Sequence, residues 1–426
     1  MLKRVMALFF ICTIILSFGA CGNAAAPTEP TPPPQTLPPT EAYQDPTGYK
    51  VKHPLEYPNY RFDETPSNLT LRMEAVKAFK DLLSVRWSSP IAIKYNKTGP
   101  VSEKTFQHDA DVTYAGTLYS NASTGLFQFL EFYDFETGRL IYPGPIDVMK
   151  EALGASCADA MIWGVTTVCN SITGPYYPVT MVYQNGYLPV GNYTYDFSIT
   201  SYNQMPTQKI VQQNEKAVIL DAYSRVRPGD MFTSTPDNHG MMVIGIPSVF
   251  YNEDGSIDIN RSFVTIQDQR GGQGRGFYEQ KEGGEIIRYS GRTSAKFTFK
   301  QLYDKAYLPV TTAEFAGLKD YETATASIDK TCAKVSDLMD ATVSSNYPLA
   351  VVNILACDPF GNQAVIGRKL FNGAKDEGVP REFALNKMDC LEKFESSEYN
   401  TPSYTIKVEV VPSSGDRIIV SEIFIK

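Results

Sequence analysis

The chain reads as α+β, a helix-plus-antiparallel-sheet region followed by a small all-β sandwich. Three observations predict this. Apolar residues recur at helical spacing over residues 68–87 and again from Gly154 onward. Strand-like runs bounded by turn residues follow at 240–249 and 262–269. Beyond residue 322 the apolar runs are β-rich and separated by Gly, Pro, Asn and Ser.

In chain order, the first twenty residues read as an export signal. Lys3 and Arg4 precede an apolar run from Val5 to Phe18, too short to span a bilayer, and the small residues Gly19 and Ala20 lead into Cys21. The placement of Cys21 resembles a bacterial lipobox, although Phe18 stands where an aliphatic residue is usual. That resemblance implies a lipidated Cys21 that tethers an extracytoplasmic protein to the cell membrane. Residues 21–48 are rich in Pro, Thr, Ala and Glu and hold Pro32, Pro33, Pro34, Pro38 and Pro39. Such a stretch buries too little to fold and favours extended polyproline conformation, a spacer of about 3.1 Å per residue.

A first folded region is expected over 49–321. It opens with an amphipathic helix carrying Leu69, Leu71, Val76, Phe79, Leu82 and Leu83. Ser156 is placed to cap a second helix running through Met161, Trp163 and Val168. A third covers 213–226 and stops at Arg227-Pro228-Gly229-Asp230, a turn signal. Two strands come next, around the turn-rich Asn252 to Ser256, and then a short helix over 298–307. The sandwich is expected over 322–426, with strands at 349–355, 404–411 and 417–425.

Composition narrows function. With 43% hydrophobic and 20% charged residues in 426, the chain is globular. Acidic residues outnumber basic ones 47 to 39, a net charge of -8, which argues against a nucleic-acid partner. Only His53, His108 and His239 are present, so a His-rich metal site is excluded. Beyond Cys21, five cysteines follow the leader (Cys157, Cys169, Cys332, Cys357 and Cys390), and none forms a CxxC pair.

Cys157 differs from the others. It follows Gly154-Ala155-Ser156 at the expected first turn of a helix, where unpaired N–H groups and the helix dipole favour a thiolate. Core cysteines also occupy helix starts. His239 opens an apolar strand after Asp237-Asn238, where an imidazole can project into a cleft. An exposed loop histidine is the plainer explanation. On the next strand, Thr265, Gln267 and Gln269 alternate with Val264, Ile266 and Asp268. A polar residue there can fix the imidazole tautomer; facing favours Gln269, then Gln267, with Asp268 last.

Taken in order, Cys157 on a helix, the Pro228-Gly229-Asp230 turn, His239 at a strand start and a polar residue on the following strand resemble the NlpC-like branch of papain-like cysteine peptidases. Tyr119 within Gly116-Thr117-Leu118-Tyr119-Ser120 resembles the tyrosine that precedes the nucleophile in that family. The likeness spans roughly residues 110–310. Ser156-Cys157-Ala158 stands where the family has Asp-Cys-Ser, and 81 residues intervene between Cys157 and His239. The resemblance implies a papain-like fold, Cys157 as nucleophile, His239 as base and acid, and Gln269 as third member, with Gln267 and Asp268 as alternatives. It implies an oxyanion held by the Cys157 N–H and the Tyr119 hydroxyl. Its partners would be peptidoglycan or cell-wall peptides, cut at amide bonds without metal or organic cofactor.

Two other classes fit the same residues: a non-catalytic surface or wall-binding lipoprotein, and a Cys-dependent acyltransferase or amidase. Gly271 to Gly276 lacks the spacing of a phosphate loop, and no GxSxG elbow is present.

Overall fold

Six strands form the antiparallel sheet on which everything else is arranged. Their order is Gly291–Thr298, Phe263–Gln269, His239–Val243, Met231–Ser234, Leu308–Thr312 and Tyr187–Pro189. The computed structural model describes residues 66–98, 103–142, 153–172, 186–194, 206–270, 277–373, 379–388, 390–391 and 403–425. The leader, Cys21, the proline-rich segment, His53 and the Gly271 to Gly276 loop lie outside the described residues.

Successive side chains of a strand face opposite ways, and this sheet is covered on both sides. Met231 and Met242 point into a cluster with the helix Pro66–Ser84 and the helix Cys157–Val165. Phe232, Met241, Val243, Val264 and Ile266 point the other way, against the helix Lys216–Arg225 and the short helix Phe299–Asp304. Two-sided burial explains why Met241-Met242-Val243 is apolar throughout instead of alternating.

On the first face the two helices approach closely. A Cβ on Gly164 would lie 2.7 Å from that of Phe79, so only glycine permits this approach. The buried Arg72 donates to Asp230 Oδ1 at 2.7 Å and to the carbonyls of Pro228 and Phe315. It thereby ties the first helix to the Pro-Gly-Asp turn, where Gly229 has φ +87°. An arginine on the apolar stripe is the sequence trace of that anchor. Leu69, expected to face inward, is 51% exposed.

The expected third helix is two helices, Pro206–Gln213 and Lys216–Arg225. Asn214 breaks them: its side chain accepts from Thr194 N–H at 2.8 Å and donates to the carbonyls of Thr194 and Ile210. The strand expected over 240–249 stops at Val243, ahead of Gly245 and Pro247.

Strands after residue 322 pair only with one another among the described residues. Three form one sheet (Ala326–Ile328, Thr342–Ser345, Glu382–Ala384), and four form another in the order Gln363–Leu370, Leu349–Cys357, Tyr404–Pro412, Ile418–Ile425. Val343 and Phe383 of the first share a buried cluster with Val352, Ile354 and Val408 of the second. The four-stranded sheet is also buried behind: Ala350, Val351 and Val411 join the cluster of the Pro66–Ser84 and Cys157–Val165 helices.

Candidate active site

Ser156 holds extended backbone (φ -77°, ψ 176°) and begins the helix that carries Cys157 as its first residue. Its hydroxyl donates to Asp159 Oδ2 at 2.6 Å and its N–H reaches the same oxygen at 3.3 Å, so that carboxylate is occupied away from the sulfur. The Cys157 Sγ sits 3.9 Å from the Asn238 carbonyl and hydrogen-bonds the His239 imidazole. The thiol and the imidazole, 82 positions apart, are brought together.

A four-residue hairpin places the histidine. Ser234 pairs with His239 across it, and Asn238 adopts φ +47°, a left-handed geometry that asparagine tolerates. Asp237 locks the turn: its carboxylate accepts from Lys305 at 2.9 Å and from the Tyr307 hydroxyl at 2.5 Å. Burial opposes ionisation of Asp237, but these two donors hold its carboxyl below the usual range.

The residue that meets the imidazole is Asp268, not Gln269 or Gln267. His239 Nε2 lies 2.8 Å from Asp268 Oδ2, which leaves Nδ1 to serve the thiol. Gln267 instead donates to the Val76 carbonyl at 2.9 Å, and Gln269 donates to the Thr117 carbonyl at 3.0 Å. Alternation along the strand holds. What fails is the assumption that the imidazole faces the polar side: Met241 and Val243, in step with His239, share a face with Val264 and Ile266, in step with Asp268.

Two arginines complete the site, and neither was singled out in the sequence. Arg292 donates from Nε to Asp268 Oδ1 at 2.8 Å and from Nη2 to Oδ2 at 2.6 Å, a bidentate grip. A bulge makes this possible. Ile266 pairs with Ala295 but Asp268 pairs with Arg292, so the Gly291–Thr298 strand carries one extra residue there. Arg270 adds a bond from Nε to Oδ2 at 3.0 Å and lies 3.3 Å from His239 Nε2. An apolar face ending in Asp, with Arg two residues later, was the available signal.

These contacts set the charges. Asp268 is fully buried, which disfavours its anion, yet Arg292 and then His239 hold it well below the usual carboxylate range. Burial likewise lowers His239; the Cys157 sulfur and then Asp268 overcome this and raise it to about 9. The imidazole is therefore held in its charged form near neutrality, beside the sulfur. His108 offers no alternative. It is buried between Trp87, Tyr95 and Tyr114, and burial lowers it to about 3 against the opposing pull of Asp109.

Tyr119 stands on the other side of the sulfur. Its hydroxyl hydrogen-bonds the Cys157 side chain and accepts from the Cys157 N–H, while burial, then the sulfur, raises its pKa far above the ordinary value. The Tyr119 carbonyl accepts from Tyr95 at 3.0 Å, and Gln269 braces the two preceding residues. Cys157 and Tyr119 belong to one cluster with Trp87, Phe106, Tyr114 and Phe129, an aromatic wall beside the thiol. Cys157 is 4% exposed and His239 5%.

Cys169, Cys332 and Cys357 are buried free thiols, and Cys390 is partly buried. Among the described residues no three His, Cys, Asp or Glu side chains gather to hold a metal, and no helix is long and apolar enough to cross a membrane. No protein-family model, curated protein or solved structure matches this chain.

Proposed function

We propose that this chain is a cysteine hydrolase of papain-like type, cutting amide bonds in the peptide part of peptidoglycan. One observation supports it above the others: a helix-start cysteine bonded to an imidazole whose far nitrogen lies 2.8 Å from a buried carboxylate. The Cys157 thiolate attacks the scissile carbonyl carbon. The Cys157 N–H, which in the resting site donates to the Tyr119 hydroxyl, turns with that hydroxyl to donate to the resulting oxyanion. His239 passes its proton to the departing amine, leaving an acyl-enzyme. Water then gives its proton to His239 and attacks the thioester, releasing the acid and restoring the thiolate. In this proposal Cys21 carries the lipid, and the proline-rich segment lets the enzyme reach the wall.

Incubating purified protein with peptidoglycan and quantifying released peptides tests this. Turnover is expected, and Cys157→Ala lowers it by about four orders of magnitude with an unchanged thermal midpoint. Undiminished turnover in that variant overturns the nucleophile. Transfer to an added amine or alcohol, in place of water, indicates an acyltransferase. Wall binding without turnover indicates a docking protein.

A further inference from the structure

We propose that Arg292 is a positioning residue of this site: it holds Asp268 ionised and turned toward His239, and so extends the reactive state of Cys157 into acid solution. This rests on the Cys157–His239 pair but not on any particular substrate.

The geometry carries it. Asp268 is sealed from water, so without a counter-charge its carboxyl would take up a proton and lose its hold on an imidazolium. Arg292 alone engages both carboxylate oxygens, and it does so because the bulge sets it directly opposite. Its guanidinium is itself held, 5.4 Å from the Phe297 ring centroid and 5.7 Å from that of Tyr278. Arg270 makes a single bond, to the one oxygen that His239 already uses. The other groups facing this pair are Tyr119 beyond the sulfur, and Asp237 with Lys305 and Tyr307 beyond the hairpin. None of them touches the free side of Asp268 that Arg292 fills.

The sign follows. Losing Arg292 weakens the carboxylate, hence the imidazolium, hence the thiolate, so the acid limb of thiol reactivity moves toward neutrality. The test is the pH profile of Cys157 alkylation by iodoacetamide, read by mass spectrometry on the intact chain. At about pH 5, Arg292→Ala is expected to react about tenfold more slowly than the unmodified protein, with the same rate on the alkaline plateau. Arg292→Lys keeps the charge without the fork and falls between them, and it serves as the test if the alanine variant does not fold. Superimposable profiles in a folded Arg292 variant overturn the proposal, as does an equal shift in Arg270→Ala. Alkylation needs no substrate. A chain inert toward peptidoglycan but shifted in this profile contradicts the hydrolase reading and supports this one.

Discussion

Two carboxylates in this molecule are buried and gripped by two arginines each, and they serve different ends. Glu131, 3% exposed, accepts from Arg368 at 2.6 Å and from Arg417. Asn353 links it to Glu409. The Arg292 and Arg270 grip on Asp268 is chemically similar. Around Glu131 the charged partners are arginines, Asn353 links it to a second glutamate, and the cluster works as a rivet between the Leu126–Leu130 helix and the four-stranded sheet. Around Asp268 the same electrostatics end on a histidine and, through it, on a thiol. A buried ion pair is thus a clamp by default; a group able to titrate makes it a tool.

The contrast can be broken at either end. The largest effect is expected at Asp268→Asn, which should lower turnover by about 10³- to 10⁴-fold. It should also bring the His239 pKa down from about 9, because burial persists while one of the anions opposing it is gone. Nitrogen NMR of the imidazole through a pH titration checks this, and an unmoved midpoint counts against the pairing. Glu131→Ala is expected to act in the opposite manner, on stability rather than turnover. Removing it strands two arginines, but Arg417 is half exposed, so about 2–3 kcal/mol is expected in urea unfolding, less than for a sealed pair. The rate per folded molecule should hold. Smallest is Gln269→Ala, which removes the amide that braces the Thr117 and Leu118 carbonyls before Tyr119 and costs about 1 kcal/mol. A turnover loss as large as that of Asp268→Asn would return Gln269 to the catalytic set.

Much of this was legible from residue order. Helical spacing located the helix Pro66–Ser84, Ser156 announced the start at Cys157, and Asp237-Asn238 marked the start of the His239 strand but not its end at Val243. What could not be read was which face of that strand is the working one. The same face is core at Met241 and candidate site at His239, and no periodicity marks where one becomes the other. Arg292 was beyond reach for a second reason. It meets Asp268 only through an extra residue in its strand, and strict two-residue alternation does not describe that irregularity. Asn214 was missed because its helix-breaking effect comes from a loop twenty positions upstream.

The Ser413 hydroxyl donates to the Thr166 carbonyl at 2.7 Å, at the far end of the helix that begins with Cys157, and Val411 is packed into the same core. The last hundred residues are therefore no detachable cassette: they brace the helix that begins with Cys157. A truncation at residue 322 should yield not a smaller folded protein but a misfolded one, and libraries that shuffle modules at that junction should recover few survivors.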